Sequence, residues 1–343
     1  MTLNAQSLFP DILFEDHKPL PNLSISLNSS GREEESFDPV SPIASNPEHW
    51  RNLDPRHFLP LADKISLFHI RNVMLTGVNP AVYPFLKDAL KCFSGKVENL
   101  SLVISPGQSL NVDLKLIPLL QEIVYLIPPY WLNGIRGERE EAESLEYEIS
   151  HLRKNNRNIA VRAMLYLSAR NLSRLGSVID RVEKAGFDRL YFFPSNLFLL
   201  SEKGRVPKPA YPEHLPSEEE VMNLERTFWD FLEERFFESR LFDLNLCRRQ
   251  LERVLEYFKA ALGREEFSPP FCRASRIAIH VDPEGRVRAC PYQKVIGDLA
   301  KKSLIRIRES EELFLFQANL NLARSPLCPA CPGVYPHLLR RSR

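Results

Sequence analysis

The sequence predicts an α/β protein: a parallel sheet with crossover helices, followed by a small α+β domain of a β-hairpin plus a helix around a four-cysteine metal site. Three observations predict it. Strand and helix patterns alternate in about six units between residues 56 and 195, which implies parallel strands joined by helices and is too few for an eight-unit barrel. A hairpin signature lies around residue 280, and four of the 6 cysteines fall at Cys272, Cys290, Cys328 and Cys331.

Taken in order, residues 1–20 read as a lead-in segment. Leu23-Ser24-Ile25-Ser26-Leu27 alternates apolar and polar, a strand signature, and residues 28–50 are a loop rich in Ser, Glu, Pro and Asn. Ala62–Ile70 reads as a helix, Asn72–Thr76 as a strand stopped by Gly77, and Pro84–Phe93 as a helix. Val97–Ser105 is a strand, Leu114–Glu122 a helix containing Pro118, and Ile123–Tyr130 a strand. Glu138–Asn155 is a helix, Ile159–Leu167 a strand, Ser173–Ala185 a helix ended by Gly186, and Arg189–Phe193 a strand. Residues 21–216 make up this unit, and residues 217–263 are linking helices. Ser217 with Glu220 forms a capping box at their start, and the helical region breaks near Ser239. Residues 264–343 form the small cysteine-bearing domain.

Composition narrows the class. Of 343 residues, 44% are hydrophobic and 26% charged, the profile of a globular protein, and the net charge of +1 gives no bulk nucleic-acid footprint. Arg340, Arg341 and Arg343 form a short basic tail, read as a solvated terminus. Asp11, Glu15 and Asp16 interrupt the first apolar residues, so no secretory signal is expected there. The longest apolar stretch, Leu114 to Leu132, carries Lys115, Gln121 and Glu122 and is not a membrane span. The expected location is the cytoplasm, where a CxxC pair holds metal or does redox work rather than forming a structural disulfide.

The hairpin organises the cysteines. Residues 276–281 alternate, Asp282-Pro283-Glu284-Gly285 is a turn with Pro second and Gly fourth, and Arg286–Ala289 returns. Cys272 stands just before this hairpin and Cys290 just after it, so both sulfurs fall at its paired ends. Cys328-Pro329-Ala330-Cys331 supplies two more, and two intervening residues let both thiolates bind one metal. Four thiolates suit an iron–sulfur cluster or tetrahedral zinc. A CxxC redox pair is the competing reading, but it leaves Cys272 and Cys290 unexplained. Cys92 and Cys247 sit on expected helices with no partner motif and read as packing residues.

This C-terminal pattern resembles the auxiliary-cluster domain of radical SAM enzymes, the SPASM domain or its shorter twitch form. Twelve residues separate Cys272 from Gly285 and four separate Gly285 from Cys290; Ile296-Gly297-Asp298-Leu299 and the terminal CxxC follow as in that family. No cysteine follows Cys331, so the one-cluster twitch form is the closer match. The larger unit resembles a radical SAM partial barrel, a (β/α)6 TIM-like arrangement. Leu75-Thr76-Gly77-Val78-Asn79-Pro80 stands where that family writes LTGGEP, Ile104-Ser105-Pro106-Gly107 where it writes VTNG, and Leu132-Asn133-Gly134 with Arg136-Gly137 resembles its LDG and RG. The resemblance covers residues 20–340. It implies one 4Fe–4S cluster on Cys272, Cys290, Cys328 and Cys331.

Two departures stand beside it. The family binds a catalytic cluster through CxxxCxxC after its first strand, but no cysteine precedes Cys92 here. The GGEP motif that holds the methionine amino group of S-adenosylmethionine survives only as Gly77, Val78, Asn79 and Pro80. Losing the acid removes the ammonium's charge partner, and losing a glycine restricts backbone approach. The expectation is therefore a degenerate barrel to which S-adenosylmethionine does not bind. His17, His49 and His57 in nearby loops read as solvated residues.

Three functions are consistent with this. The chain is a non-catalytic partner of an active radical SAM enzyme, or binds its peptide or small-molecule substrate. Alternatively it is an enzyme of altered chemistry at the barrel mouth, with Arg162, Asn133 and Asn79 as candidate residues. The third reading is a structural zinc protein. No Ser/His/Asp set, phosphate loop or dinucleotide fingerprint is present.

Overall fold

The computed structural model describes residues 21–29, 50–129, 138–198, 200–201, 204–205, 209, 212–236, 244–267, 278–290, 294–321 and 330–331. The lead-in 1–20 with His17, most of the 28–50 loop with His49, the segment from Leu132 to Gly137, Cys272 and Cys328 lie outside these residues.

Nine strands make one sheet: β1 (Asn22–Ser26), β2 (Asn72–Thr76), β3 (Asn99–Ile104), β4 (Glu122–Ile127), β5 (Ala160–Leu167), β6 (Arg189–Pro194), β7 (Ala278–Val281), β8 (Arg286–Arg288) and β9 (Gly297–Asp298). Their order is β9-β8-β7-β1-β2-β3-β4-β5-β6. The strands from β7 to β6 are parallel, and β8 and β9 add antiparallel at the far edge. The first six are the expected units. The hairpin β7–β8 is hydrogen-bonded onto β1, with Ser24 opposite His280, so the cysteine-bearing segment continues the main sheet.

Alternation sorts the side chains onto two faces. Leu23, Ile25, Val73, Leu75, Leu100, Leu102, Ile123, Val161 and Leu190 enter the large core under the helices. The opposite face carries Asn22, Asn72, Met74, Asn99, Ser101, Glu122, Val124, Arg162, Met164 and Tyr191, which line a single cavity spanning β1 to β6. In a flat sheet strands five apart lie about 24 Å from one another, so one cavity touching all six requires a curled sheet. The polar residues of β1 are buried accordingly: Ser24 and Ser26 face the inside of the curl, not solvent.

The helices are α1 (Pro55–Ala62), α2 (Leu86–Phe93), α3 (Glu138–Asn155), α4 (Leu175–Ala185), α5 (Glu218–Phe236), α6 (Leu244–Ala261), α7 (Leu304–Arg308) and α8 (Glu311–Asn321). Gly186 ends α4 in the left-handed region, φ 86°. The Ser217 capping box forms as expected: its N–H donates to Glu220 at 2.7 Å, and Glu220 N–H donates to Ser217 Oγ at 3.2 Å.

Two expectations are corrected. The helix expected over Ala62–Ile70 lies instead at Pro55–Ala62. Asp54 caps it, accepting from Arg56 N–H at 2.8 Å, and Pro55 takes the first helical position, where no N–H is needed. Beyond Ala62 only a 3-10 turn forms, Ser66–Phe68, before His69 at φ 51°. Ile65 and Phe68 are buried there in the core, so their apolar spacing imitates a helix. The helix expected over Leu114–Glu122 is a 3-10 segment, Leu114–Leu119, and Glu122 opens β4. Pro118 supplies no N–H for an α-helical ladder.

Candidate functional site

The hairpin places Cys290. Its turn is built on Asp282, whose Oδ1 accepts from Glu284 N–H at 3.1 Å and Arg286 N–H at 2.9 Å. Gly285 closes the turn at φ 76°, against the ring of His57. A Cβ there would stand 2.8 Å from His57 Cγ, so glycine is required by both conformation and contact. His57 is thus a packing partner of the hairpin turn, and Arg51 ties the same turn by an ion pair to Glu284 at 3.0 Å. Gly297 in β9 lies so close to Ile307 of α7 that a Cβ would meet its side chain at 2.5 Å. Hairpin, β9 and α7 therefore form one unit on the edge of β1.

Cys290 leaves this unit half-buried, packed against the main core. Cys331 is also half-buried, beside the fully buried Ala330. Arg253 of α6 donates to the Cys331 carbonyl at 3.3 Å, which places Cys331 against α6. Among the described residues no three His, Cys, Asp or Glu side chains gather at one point. The donors offered by sequence are thiolates throughout, the set that suits iron–sulfur chemistry.

The second candidate region is the loop after β2, at the carboxyl edge of the sheet. Gly77 has φ 150°, and a Cβ on it would stand 2.3 Å from Asn28 Oδ1. Asn28, just past β1, occupies that space. Its backbone carbonyl accepts from Val78 N–H at 3.2 Å. Its side-chain Oδ1 accepts from Asn79 N–H at 3.1 Å, and its Nδ2 donates to the Asn79 carbonyl at 2.7 Å. Gln108 Nε2, from the loop after β3, donates to the Val78 carbonyl at 2.9 Å. All four main-chain polar groups of Val78 and Asn79 are therefore satisfied by the protein itself. Asn79 Oδ1 is buried and has no hydrogen-bond partner among the described residues.

Glu148 of α3 holds the neighbouring loop. It accepts from Gly107 N–H at 2.8 Å, from the Ser109 hydroxyl, and from the Tyr125 hydroxyl at 3.2 Å. Only 1% of Glu148 is exposed. Burial pushes its carboxyl above the usual range, and the three donors pull against that. Burial likewise raises Asp282, opposed by Arg286.

Arg162 is corrected in place and role. It lies near the start of β5, at the amino end of the sheet, away from the mouth that holds Asn79. It pairs with Glu122, which is 4% exposed, and donates to the Tyr191 hydroxyl at 3.3 Å. Asn99 Nδ2 donates to the other Glu122 oxygen at 2.9 Å. This pair closes the base of the curled sheet, and Asn133 lies outside the described residues. Sequence reasoning missed Asn28, Gln108, Glu148 and Arg253. The partners named for them above are 23 to 78 residues away.

With the geometry in hand, comparison with known proteins adds the following. Residues 272–332 match the family model of SPASM, an iron–sulfur cluster-binding domain. No curated protein matches the chain. Among solved structures, Streptococcus suis SuiB bound to precursor peptide SuiA is similar at 14% identity and a TM-score of 0.58, over 95% of this chain and 74% of that one. Native anSMEcpe with bound AdoMet and Kp18Cys peptide is similar at 12% identity and a TM-score of 0.57, over 86% and 83%. At these identities the likeness establishes a shared fold. No described helix is long and apolar enough to cross a membrane.

Proposed function

We propose that this chain, a SPASM domain joined to a sheet with the fold of the radical SAM enzymes, holds one auxiliary 4Fe–4S cluster on Cys272, Cys290, Cys328 and Cys331 and acts as a non-catalytic partner or substrate-binding component of a radical SAM maturation or biosynthetic system. The observation that carries the non-catalytic part is the loop Gly77–Pro80. Its Val78 and Asn79 main-chain groups are engaged by Asn28 and Gln108. A cofactor amino group at that loop would compete with those donors for the Val78 and Asn79 carbonyls, and Gly77–Pro80 itself carries no carboxylate to pair with it. Residues 30–49, which follow β1 and its short extension, contain no cysteine to seat a catalytic cluster.

A peptide is the ligand class to test first, because two of the similar structures hold one, the precursor peptide SuiA and the Kp18Cys peptide. Asn79 Oδ1, a buried acceptor at the mouth, suits an amide N–H from such a ligand. The cluster of the C-terminal segment supplies electron transfer or rigidity when bound. The expected location is the cytoplasm.

The test combines two assays on anaerobically purified protein. With S-adenosylmethionine and dithionite the chain is expected to give no 5′-deoxyadenosine, and affinity capture from its host is expected to recover a radical SAM enzyme. 5′-Deoxyadenosine above the no-enzyme control would contradict the non-catalytic reading, and capture without such an enzyme would contradict the partner reading. Cys328→Ala is expected to lower metal content and destabilise residues 264–343, and unchanged metal and melting would remove Cys328 from the site.

A further inference from the structure

We infer that Arg253 is a positioning residue for the auxiliary cluster: it seats Cys331 against α6 and sets the cluster's reduction potential. The inference rests on the cluster assignment proposed above. Arg253 Nη2 donates to the Cys331 carbonyl at 3.3 Å, across 78 residues of sequence. Its side chain is 19% exposed and its Nε is buried, beside a cysteine proposed as a cluster ligand. Glu256 lies 3.6 Å from the other terminal nitrogen but is 55% exposed, so solvent screens it more than the cation.

The helix beneath Arg253 is itself fixed. Gln250, one turn before it, accepts from Phe192 N–H of β6 at 3.0 Å. Tyr257, one turn after it, accepts from Leu197 N–H at 3.1 Å. Val254 and Phe258 beside them are fully buried in the core. Residues spaced by three and four share a helix face, so Arg253 projects from the stretch of α6 most firmly tied to the sheet. A cation held there favours the more negative, reduced state of a nearby cluster, because net charge and hydrogen bonding around the ligands set the potential.

The experiment measures iron and sulfide per chain and the midpoint potential of the anaerobic full chain, in wild type, Arg253→Lys and Arg253→Met. The expected result is a full cluster in all three. The potential should be lower in Arg253→Met and near wild type in Arg253→Lys. Loss of the cluster from Arg253→Met with retention in Arg253→Lys also supports a seating role that depends on the charge. A full cluster in Arg253→Met with an unchanged potential would overturn the inference while leaving the cluster assignment intact. Wild type holding zinc or no metal would overturn the assignment itself, and the inference with it. If Arg253→Met does not fold, Arg253→Gln is read in its place by the same criteria.

Discussion

Asn28 grips Asn79 by both of its main-chain groups: Nδ2 donates to the Asn79 carbonyl at 2.7 Å while Oδ1 accepts from the Asn79 N–H at 3.1 Å. One side chain thus bridges the loops that follow two neighbouring parallel strands. It does so in the space a glycine leaves open, since a Cβ at position 77 would collide with it.

Removing that grip leaves the Asn79 N–H without its acceptor and takes one of two donors from the Asn79 carbonyl, which keeps Val82 N–H at 3.3 Å. Asn28→Ala is expected to destabilise the chain by about 2–3 kcal/mol, measured by urea denaturation. Gly77→Ala is expected to be at least as damaging, because a Cβ there would stand 2.3 Å from Asn28 Oδ1. Neither variant should gain S-adenosylmethionine cleavage, since the loop after β1 still offers no thiolates. A change in stability below about 0.5 kcal/mol for Asn28→Ala would show that the loop holds without the clamp.

Glu148 gives a pH prediction. Its folded-state carboxyl is raised by burial, so the folded protein holds its proton more tightly than the unfolded chain does. The stability linked to that proton is fully present below the unfolded value of about 4.3 and is lost as pH rises through the folded value. Glu148→Gln retains an acceptor for Gly107 and cannot ionise. It is expected to fold normally and to flatten the decline in stability above about pH 4.3. Glu148→Ala leaves Gly107 N–H and two hydroxyls unpaired and should cost about 2–4 kcal/mol. An unaltered stability–pH profile in Glu148→Gln would contradict this assignment.

The Glu122–Arg162 pair separates a structural role from a catalytic one. Arg162→Met leaves a buried carboxylate uncompensated and is expected to lower stability by about 3–5 kcal/mol. Adding Glu122→Gln should recover most of that loss, because the remaining amide still reaches Asn99. Denaturation of the two single variants and the double variant checks the coupling. Additive losses would show that the two residues act independently.

Much of the sheet was legible in the sequence because its parallel strands are short alternating or continuous apolar runs. Asn72–Thr76 and Glu138–Asn155 form at their expected bounds. The hairpin was legible because Pro283 and Gly285 mark its turn chemistry. The first helix was misplaced because Ile65 and Phe68 are buried by a 3-10 turn with helix-like spacing, while the stronger signal, Asp54 before Pro55, went unused. Arg162 was assigned to the wrong end of its strand although its place near the start of Ile159–Leu167 already indicated the amino end. Asn28 and Arg253 were not legible at all. An asparagine after a strand looks like a turn former, and an arginine on a charged helix looks solvated. Only the fold reveals what each touches.

The central claim is one auxiliary cluster and no catalytic one, and metal analysis of the anaerobically purified chain tests it most directly. The account predicts about four irons and four sulfides per chain, no zinc, and a broad visible band near ~400 nm. About eight irons per chain would contradict it by supplying a second cluster. One zinc with no colour would contradict it by turning the four cysteines into a structural staple.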